Sequence, residues 1–312
     1  GFGPNEKAFL NFIDLGVNLI FTVDCGTLSY GPMDFAKKKN VDVIILDHHQ
    51  SETKLPSAHS IVNPNRFDDR SDLNYLCAAG VCFMFLIALN KRLRDQNWFS
   101  NNSIKEPELL NILDLVSLGT ICDVVPLVGL NRAIVHQGLK IIKRKKNLGL
   151  KTLIEVSNIE SNITSYHLGY VLGPRINAGG RVGKSTHGAN LLLNQNPKDT
   201  FKLAVDLDTY NKERQILEGE LLKKILNTNF ENSSDPVVIL HGENWHEGII
   251  GIIASRVKEK FNKPTIIISV NNGIGKGSGR SINGFDLGSV IIGAVQSGLL
   301  AKGGGHKMAA GF

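Results

Sequence analysis

Two apolar stretches near the start of the chain, separated by a mixed segment, predict a β-α-β unit. Leu19–Val23 and Val41–Leu46 have the length and composition of strands, and Pro32–Lys39 between them has the pattern of a short helix. Strands that are apolar almost throughout are typical of a parallel sheet covered on both faces. The pattern therefore predicts an α/β fold with a doubly wound, mostly parallel sheet.

A polar stretch over His59–Asn74 predicts irregular structure. Helices are predicted after it, up to Leu89 and again over Glu108–Leu118. From about Thr200 to Asn229 apolar residues recur every three or four positions, which predicts a long helix.

A polar segment at 232–236 ends that helix, and a second β-α-β pattern follows. Its strands are predicted over Val237–Leu240 and Thr265–Val270, with a helix between them. A chain of 312 residues also exceeds the size at which one hydrophobic core usually keeps growing. We therefore expect a first α/β domain over residues 1–200, a connecting helix over 201–232 and a smaller α/β domain over 233–312.

The net charge of +6 and the isoelectric point near 9.0 suggest an anionic partner, because an excess of Lys and Arg supplies the non-specific part of nucleic-acid binding. The longest apolar run, Ala78–Leu89, is too short to cross a bilayer, which takes about 20 residues. The four cysteines form no C-x-x-C pair, and the first residues do not have the pattern of a signal peptide. We therefore expect the protein in the cytoplasm.

An acidic residue follows each of the first two predicted strands. Asp24 comes directly after Leu19–Val23. Asp47 follows the second strand and begins the sequence D-H-H, which His48 and His49 complete. Ligands of open parallel sheets bind at the carboxyl ends of the strands. Adjacent histidines on an extended segment point to opposite sides, so one is expected to bind a metal ion and the other to face a substrate. The alternative is that both are hydrogen-bonded residues of a turn.

A third acid, Asp123, lies among apolar residues in G-T-I-C-D-V-V-P. An ionised carboxylate that is buried without partners is costly, so we expect a metal ion or hydrogen-bond donors around it. Three acids and two histidines suit Mn²⁺ or Mg²⁺ better than zinc. The alternatives are that Asp24 caps a helix and that Asp123 is an ordinary turn residue.

Three glycine-rich segments offer groups that can bind anions. Residues 275–281, G-K-G-S-G-R-S, combine backbone N–H groups that can approach a phosphate with the bidentate donor Arg280. Residues 303–306, G-G-G-H, place His306 at the end of a permissive turn. Residues 173–181 add two arginines in a tight, irregular segment. Each segment alone has the alternative of being a simple turn.

Taken in order, these motifs resemble a known family. V-D-C-G around Asp24, D-H-H at 47–49 and G-T-I-C-D-V-V-P-L around Asp123 are similar to three of the four motifs of the DHH phosphoesterase superfamily. Four further segments resemble the RecJ branch of this superfamily, including its associated DHHA1 domain. They are G-P-R-I-N-A-G-G-R at 173–181, W-H-E-G-I-I-G-I-I-A-S-R at 245–256, G-S-G-R-S at 277–281 and G-G-G-H-K-M-A-A-G at 303–311. The resemblance covers nearly the whole chain and is slightly looser at 178–181.

The resemblance implies a site with two divalent ions, Mn²⁺ or Mg²⁺, bound by Asp24, His48 and Asp123. It implies that Asp47 orients a neighbouring ligand and that His49 faces the scissile phosphate, which makes these two the expected catalytic residues. The residues expected to bind phosphates of the substrate lie in the glycine-rich segments: Arg175, Asn177, Arg181, Ser278, Arg280, Ser281, Gly304, Gly305 and His306.

The implied activity is hydrolysis of phosphodiester bonds in single-stranded DNA by an exonuclease that works from 5′ to 3′ in DNA repair and recombination. The expected partners are single-stranded DNA, a single-strand-binding protein and a helicase, with no membrane. The family's first motif, Asp-x-Asp, would lie upstream of Gly1, and an OB-like domain would lie outside the chain. We therefore expect this sequence to be a fragment, truncated at both ends, with little activity of its own.

Two alternative functions remain open. One is a DHH-family hydrolase of oligoribonucleotides, cyclic dinucleotides or pyrophosphate, which a much shorter chain would favour. The other is a non-catalytic scaffold that binds nucleic acid and has lost the chemistry. The presence of Asp24, the D-H-H residues and Asp123 together argues against that loss.

Overall fold

The computed structural model describes residues 3–227 and 235–312. Its contacts divide the chain into two compact units, Gly1–Gly173 and Pro174–Phe312. The expected domain division at residues 200 and 233 stays a prediction. The end of the predicted long helix at 228–229 and most of the polar break at 232–236 lie outside the described residues.

The first unit is built on a parallel sheet with the strands β1 (Leu19–Val23), β2 (Asp42–Leu46) and β3 (Ser60–Val62), in the order β1-β2-β3. Val23 lies beside Leu46, and Leu46 lies beside Val62. The three strands therefore end at the same level, and the residue after each strand lies at one common edge of the sheet.

Helices cover both faces of this sheet. Val43 and Ile45 of β2 pack in one cluster with Met33, and Leu46 packs in another with Val81. Alternate residues of one strand thus enter two cores, which confirms the predicted doubly wound α/β fold. The helices are α1 (Glu6–Asp14), α2 (Tyr30–Lys38), α3 (Ala78–Asp95), α4 (Trp98–Asn101), α5 (Leu113–Cys122), α6 (Gly129–Lys143) and α7 (Leu148–Val156), with a 3₁₀ turn over Leu109–Ile112 and a π-helical turn over His167–Leu172.

The second unit contains a mixed sheet with helices packed against it. The helices are α8 (Gly173–Val182), α9 (His187–Leu193), α10 (Pro197–Leu226), α11 (Glu247–Phe261) and α12 (Leu287–Gln296). The strands are β4 (Val238–Glu243), β5 (Thr265–Asn271), β6 (Ile274–Arg280), β7 (Gly304–His306) and β8 (Ala309–Gly311), in the order β4-β5-β6-β8-β7. Across the described parts of both units, no helix combines the length and apolar character needed to cross a membrane.

The glycine-rich segment 275–281 is a strand for most of its length, so the alternative that it is a simple turn is wrong. It forms most of β6, which pairs antiparallel with β5 and β8. A Cβ on Gly277 would lie 2.1 Å from the ring of Phe312, and a Cβ on Gly279 would lie 2.6 Å from Leu287. The glycines leave room for these neighbours to pack, which explains a strand with so few side chains.

Three further expectations of irregular structure are corrected. Residues 304–306 form strand β7 rather than a permissive turn, because they pair with β8. Residues 173–181 form most of helix α8, where Pro174 occupies the first turn, a position that proline tolerates well. The polar stretch 59–74 contains β3, whose residues Ile61 and Val62 pair with β2.

Candidate functional site

Polar residues meet at the carboxyl edge of the parallel sheet because each follows a strand. Asp24 has a left-handed backbone conformation with φ of 60°, which Asp tolerates better than most residues. Its N–H donates to the carbonyl oxygen of Leu46 at 3.0 Å, and the N–H of Asp47 donates to that of Val62 at 3.1 Å. The ladder of the sheet thus extends by one residue and fixes the backbone of both acids.

The carboxylate of Asp47 is buried, with 1% of its side chain exposed. Thr27 donates to Oδ2 through its N–H at 3.1 Å and its hydroxyl at 2.7 Å. Oδ1 accepts from the N–H of His48 at 2.8 Å and lies 2.7 Å from Nδ1 of His49. Burial acts to raise the pKa of Asp47, but the hydrogen bonds from His49 and Thr27 outweigh it and hold that pKa well below its usual range. This geometry suits the expected orienting role, which stays a prediction.

Two asparagines extend this network. Asn63 is buried and donates through Nδ2 to the hydroxyl oxygen of Thr27 at 2.9 Å and to the carbonyl oxygen of His49 at 2.8 Å. Asn65 donates through Nδ2 to the carbonyl oxygen of His48 at 2.6 Å. Neither asparagine, nor Thr27, was expected from the sequence. A usable signal was present, since Asn63 follows a short β-branched stretch just as the two acids follow their strands.

His48 joins the two other acids of the site. Its Nε2 lies 3.2 Å from Oδ1 of Asp24 and 3.5 Å from Oδ2 of Asp123. The hydrogen bond to Asp24 is the largest cause that raises the pKa of His48, burial acts against it, and the charge of Asp123 adds to the rise. One imidazole nitrogen and two carboxylates therefore converge on a single point.

The ring of His49 lies beside that of His48, with ring centroids 4.7 Å apart. The expectation that the two histidines point to opposite sides is therefore wrong. β2 ends at Leu46, so the alternation of an extended strand does not apply to them. The bond to Asp47 engages Nδ1 and raises the pKa of His49, with burial acting against the rise. Nε2 is then the ring nitrogen positioned to act as a ligand.

Asp123 is the C-cap residue of α5, and Val124 after it has a φ of 58°. The side chain of Asp123 is 40% exposed, so the expectation of an acid buried among apolar residues is wrong. The reason is that α5 ends at Cys122 and the chain turns outward, leaving Val124 86% exposed. The remaining burial raises the pKa of Asp123, and the charge of His48 acts against that rise.

The donor atoms of this cluster fit a divalent cation. Asp24, His48 and His49 can each direct one ligand atom to within 4.8 Å of the others, and Asp123 lies against Nε2 of His48. Carboxylate oxygens mixed with imidazole nitrogens suit Mn²⁺ or a similar ion. The grouping adds His49 to the ligands expected from the sequence, and the assignment of ligands stays a prediction.

In the second unit, four of the residues expected to bind phosphate share one face of the sheet: Ser278, Arg280, Gly304 and His306. Arg280 pairs with Ala309, and Ala309 pairs with His306. Cross-strand partners lie on the same face, and so do residues two apart on one strand. Ser278 and Gly304 therefore lie on the same face as Arg280 and His306.

Helix α11 leaves space for the guanidinium of Arg280. A Cβ on Gly251 would lie 2.9 Å from the hydroxyl oxygen of Ser278 and 3.1 Å from Nη2 of Arg280. Nη1 of Arg280 donates to the carbonyl oxygen of Gly279 at 2.8 Å. Burial lowers the pKa of Arg280, although an arginine remains charged at neutral pH. A charge that is bonded to neutral oxygens and partly shielded from water is suited to binding an anion.

Arg181 lies close to this position. Its Nη1 donates to the carbonyl oxygen of Gly248, at the start of α11, at 3.0 Å. Burial, followed by the charges of Arg214 and Arg280, lowers the pKa of Arg181. The second unit thus gathers several like charges around the start of α11.

The other expected phosphate-binding residues lie elsewhere in the second unit. Arg175 donates through Nε to Asp208 at 2.9 Å. Ser281 is 1% exposed, and its hydroxyl donates to the carbonyl oxygen of Phe285 at 2.6 Å. Asn177 lies on α8, and Gly305 lies on β7 at a position that faces the other side of the sheet. Their roles stay predictions, and the geometry favours Ser278, Arg280 and His306 over Arg175 and Ser281.

Glu218 on α10 was not expected from the sequence to take part in a site. Its side chain is 12% exposed and accepts from Nη1 of Arg214 at 2.7 Å and from Nε of Arg256 at 3.2 Å. The spacing of Arg214 and Glu218, four residues apart on a helix, was the available signal. Glu218 therefore holds two arginines of this region in place.

Comparisons with known proteins point to one family. Residues 3–120 match the DHH family, N-terminal domain, and residues 234–312 match the DHHA1 domain. The chain is 38% identical to the single-stranded-DNA-specific exonuclease RecJ of Dickeya dadantii and 39% identical to that of Escherichia coli. Each alignment covers 100% of this chain and 56% of the relative. The chain thus spans about half the length of these relatives.

Solved structures agree with these matches. The crystal structure of RecJ in complex with Mn²⁺ from Thermus thermophilus superposes with a TM-score of 0.84 at 30% identity, covering 99% of this chain and 44% of that one. The crystal structure of an exonuclease RecJ bound to manganese gives a TM-score of 0.81 at 30% identity, covering 99% of this chain and 74% of that one.

We expect the affinity of the first unit for Mn²⁺ to fall as the pH is lowered. Neighbouring carboxylates raise the pKa of His48 and of His49 above the usual 6.5, and a protonated imidazole cannot bind a metal ion. Protons therefore compete with Mn²⁺ from a pH above 6.5 downward. Titration calorimetry with Mn²⁺ at several pH values between about 6 and 9 measures the effect. An affinity that does not change with pH would exclude both imidazoles as ligands.

Replacing Thr27 by Val should weaken Mn²⁺ binding by about 10- to 100-fold, because it removes the hydroxyl that orients Asp47 and, through it, His49. Thr22→Val is the matched control, since the hydroxyl of Thr22 is buried and has no hydrogen-bond partner among the residues that the structure describes. That control should leave the affinity unchanged. If Thr27→Val binds Mn²⁺ as tightly as Thr22→Val, the hydrogen bonds around Asp47 do not influence the metal centre.

Proposed function

Because the chain belongs to the DHH family, in its RecJ branch, we propose that the protein is a metal-dependent exonuclease that degrades single-stranded DNA. The observation that carries this proposal is the meeting of Asp24, His48, His49 and Asp123 at the carboxyl edge of the parallel sheet. Acids and imidazoles in this arrangement are typical of sites that cleave phosphodiester bonds with divalent cations.

In this proposal Asp24, His48 and Asp123 hold Mn²⁺ or Mg²⁺, and two ions are expected. Bound ions of this kind lower the pKa of water and clamp the attacking and leaving oxygens. Two relatives have been solved with Mn²⁺, as described above, and a third structure, also from Thermus thermophilus, is of RecJ in complex with Mg²⁺. The oxygen-rich donor set of this chain is compatible with either ion.

Asp47 acts on the reaction through His49. Its ionised carboxylate fixes the ring by the contact with Nδ1 and favours the protonated imidazole. A histidine that holds a proton near neutral pH can donate it to the leaving oxygen of the phosphodiester. The second possible role of His49, as a ligand, differs in one measurable way, since its replacement would then weaken Mn²⁺ binding as strongly as replacement of His48.

Ser278, Arg280 and His306 are proposed to bind phosphates of the DNA strand. They share one face of the sheet in the second unit, and Arg181 adds positive charge close to Arg280. Arginine suits phosphate because its planar guanidinium can donate two parallel hydrogen bonds. This set supplies backbone recognition, which is independent of the DNA sequence.

Digestion from 5′ to 3′, a role in DNA repair and recombination, and location in the cytoplasm form the finer part of the proposal. They rest on the relatedness to RecJ exonucleases. A single-strand-binding protein and a helicase are the proposed protein partners. Oligonucleotides labelled at either end test the direction, because release of label from one end first gives the polarity directly.

We expect the whole protein with Mn²⁺ to degrade single-stranded oligonucleotides, and EDTA to abolish the activity. Asp123→Asn removes a charged ligand with little change of shape and should lower the rate at least about 100-fold. Asp34→Asn, an exposed acid on α2, is the control and should keep the wild-type rate. Degradation that survives EDTA would exclude the metal mechanism, and binding without any degradation would favour the scaffold alternative.

Arg280→Ala should weaken binding of single-stranded DNA by about ten- to hundredfold, since a lost charge-assisted bond is worth roughly 1.5–3 kcal/mol. Arg280→Lys should recover part of the loss, because lysine offers a point charge without the planar fork. The affinity of Arg280→Ala for DNA should also depend less steeply on salt concentration than that of the wild type, by the amount expected for about one lost phosphate contact. Fluorescence anisotropy without divalent cations, at several salt concentrations, measures all three. Superimposable curves would remove Arg280 from substrate binding.

A further inference from the structure

Two exposed tyrosines form a stacked pair near the end of the first unit, where Tyr166 directly precedes the π-helical turn and Tyr170 lies within it. Their ring centroids lie 5.2 Å apart with an angle of 25° between the planes. Tyr166 is 61% exposed and Tyr170 is 74% exposed. The ring of His167 also lies edge-on to Tyr166, with ring centroids 5.8 Å apart. Even so, most of the surface of both tyrosines remains open to solvent.

The turn that carries this pair is held firmly. The N–H of Thr164 donates to Nδ1 of His167 at 3.1 Å, which satisfies a donor at the start of the helix as a capping box does. Leu168 and Leu172, on the opposite side of the turn, are fully buried at 0% exposure. The position of the two rings is therefore fixed by the backbone beneath them, and ordering them on binding costs little entropy.

The same turn packs against the helix that ends at Asp123. Sγ of Cys122 donates to the carbonyl oxygen of Leu168 at 3.6 Å, and a Cβ on Gly169 would lie 3.2 Å from Ile121. The tyrosine pair therefore lies on the segment next to the proposed metal centre, within the same unit. A DNA strand with one phosphate bound near Asp123 would then place its neighbouring bases close to this segment.

An ordinary pair of aromatic residues four apart on a helix would explain the stacking. It would not explain why two large rings on a rigid turn leave so much of their surface in water beside a site of this kind. Exposed aromatic faces of this sort bind unpaired bases, and they do so for every base because each base has a π face.

We propose that Tyr166 and Tyr170 form a stacking platform for an unpaired base of the DNA strand that is being degraded. This inference rests on the proposed function and adds a base contact to the phosphate contacts of the second unit. The platform accepts any base and excludes a paired one, because a base within a duplex has both faces covered by its neighbours. It therefore contributes to the preference for single strands.

The test uses the whole protein and oligonucleotides with 2-aminopurine at successive positions, without divalent cations. Stacking quenches this fluorophore, so quenching at one or two positions should mark the base on the platform. Tyr170→Ala should abolish that quenching and weaken binding about tenfold. Tyr170→Phe keeps the ring and should behave as wild type. Phe12→Ala, an aromatic residue on α1 that is 48% exposed, is the matched control and should change neither measurement.

Two results would overturn the inference. One is unchanged binding and quenching in Tyr170→Ala, whatever its melting temperature, which would make the pair structural or a contact for another part of the protein. The other is equal losses in Tyr170→Ala and Tyr170→Phe, which would assign the effect to the hydroxyl rather than the ring. Failure of the proposed function gives a different outcome, namely wild-type protein that binds and quenches but does not degrade DNA with Mn²⁺.

Discussion

An ionised carboxylate removed from water is costly unless hydrogen-bond donors surround it, and Asp47 meets this condition with donors from Thr27, His48 and His49. Asn63 then ties Thr27 to the carbonyl group of His49. The segments that follow β1, β2 and β3 are joined in this way into one network. The positions of the proposed metal ligands depend on this buried anion, since loss of its charge would weaken the hydrogen bonds that Thr27, His48 and His49 donate to it.

Much of the first unit could be predicted from the sequence because its strands are short apolar runs. Leu19–Val23 has the predicted bounds, and β2 begins one residue later than predicted. β3 was hidden in a polar stretch, since its pairing with β2 is a non-local contact that composition does not reveal. The glycines of β6 did not indicate a strand for a similar reason. The space they provide is needed by Phe312 and Leu287, and only the folded chain brings these residues together.

The sequence predicted that acids at the ends of strands belong to the candidate site. It predicted the orientation and exposure of the side chains less well. The orientation of His49 depends on β2 ending at Leu46, where the alternation of side chains stops. The exposure of Asp123 depends on α5 ending one residue before it. Boundaries of elements are the least predictable feature of a sequence. Side chains that lie at such boundaries are therefore the hardest to orient from sequence, and in this protein these are the ones proposed to do the chemistry.

Each unit also has a cluster of like charges that the surrounding residues of the chain neutralise only in part. In the first unit, Asp24 and Asp123 share His48 as a neighbour, although the protonated ring carries only one positive charge. In the second, Glu218 accepts from Arg214 and Arg256, while the contacts described for Arg181 and Arg280 are with neutral oxygens. Unbalanced charge reduces stability. Its retention in both units is explained if a cation at the first and an anionic strand at the second supply the missing charge on binding.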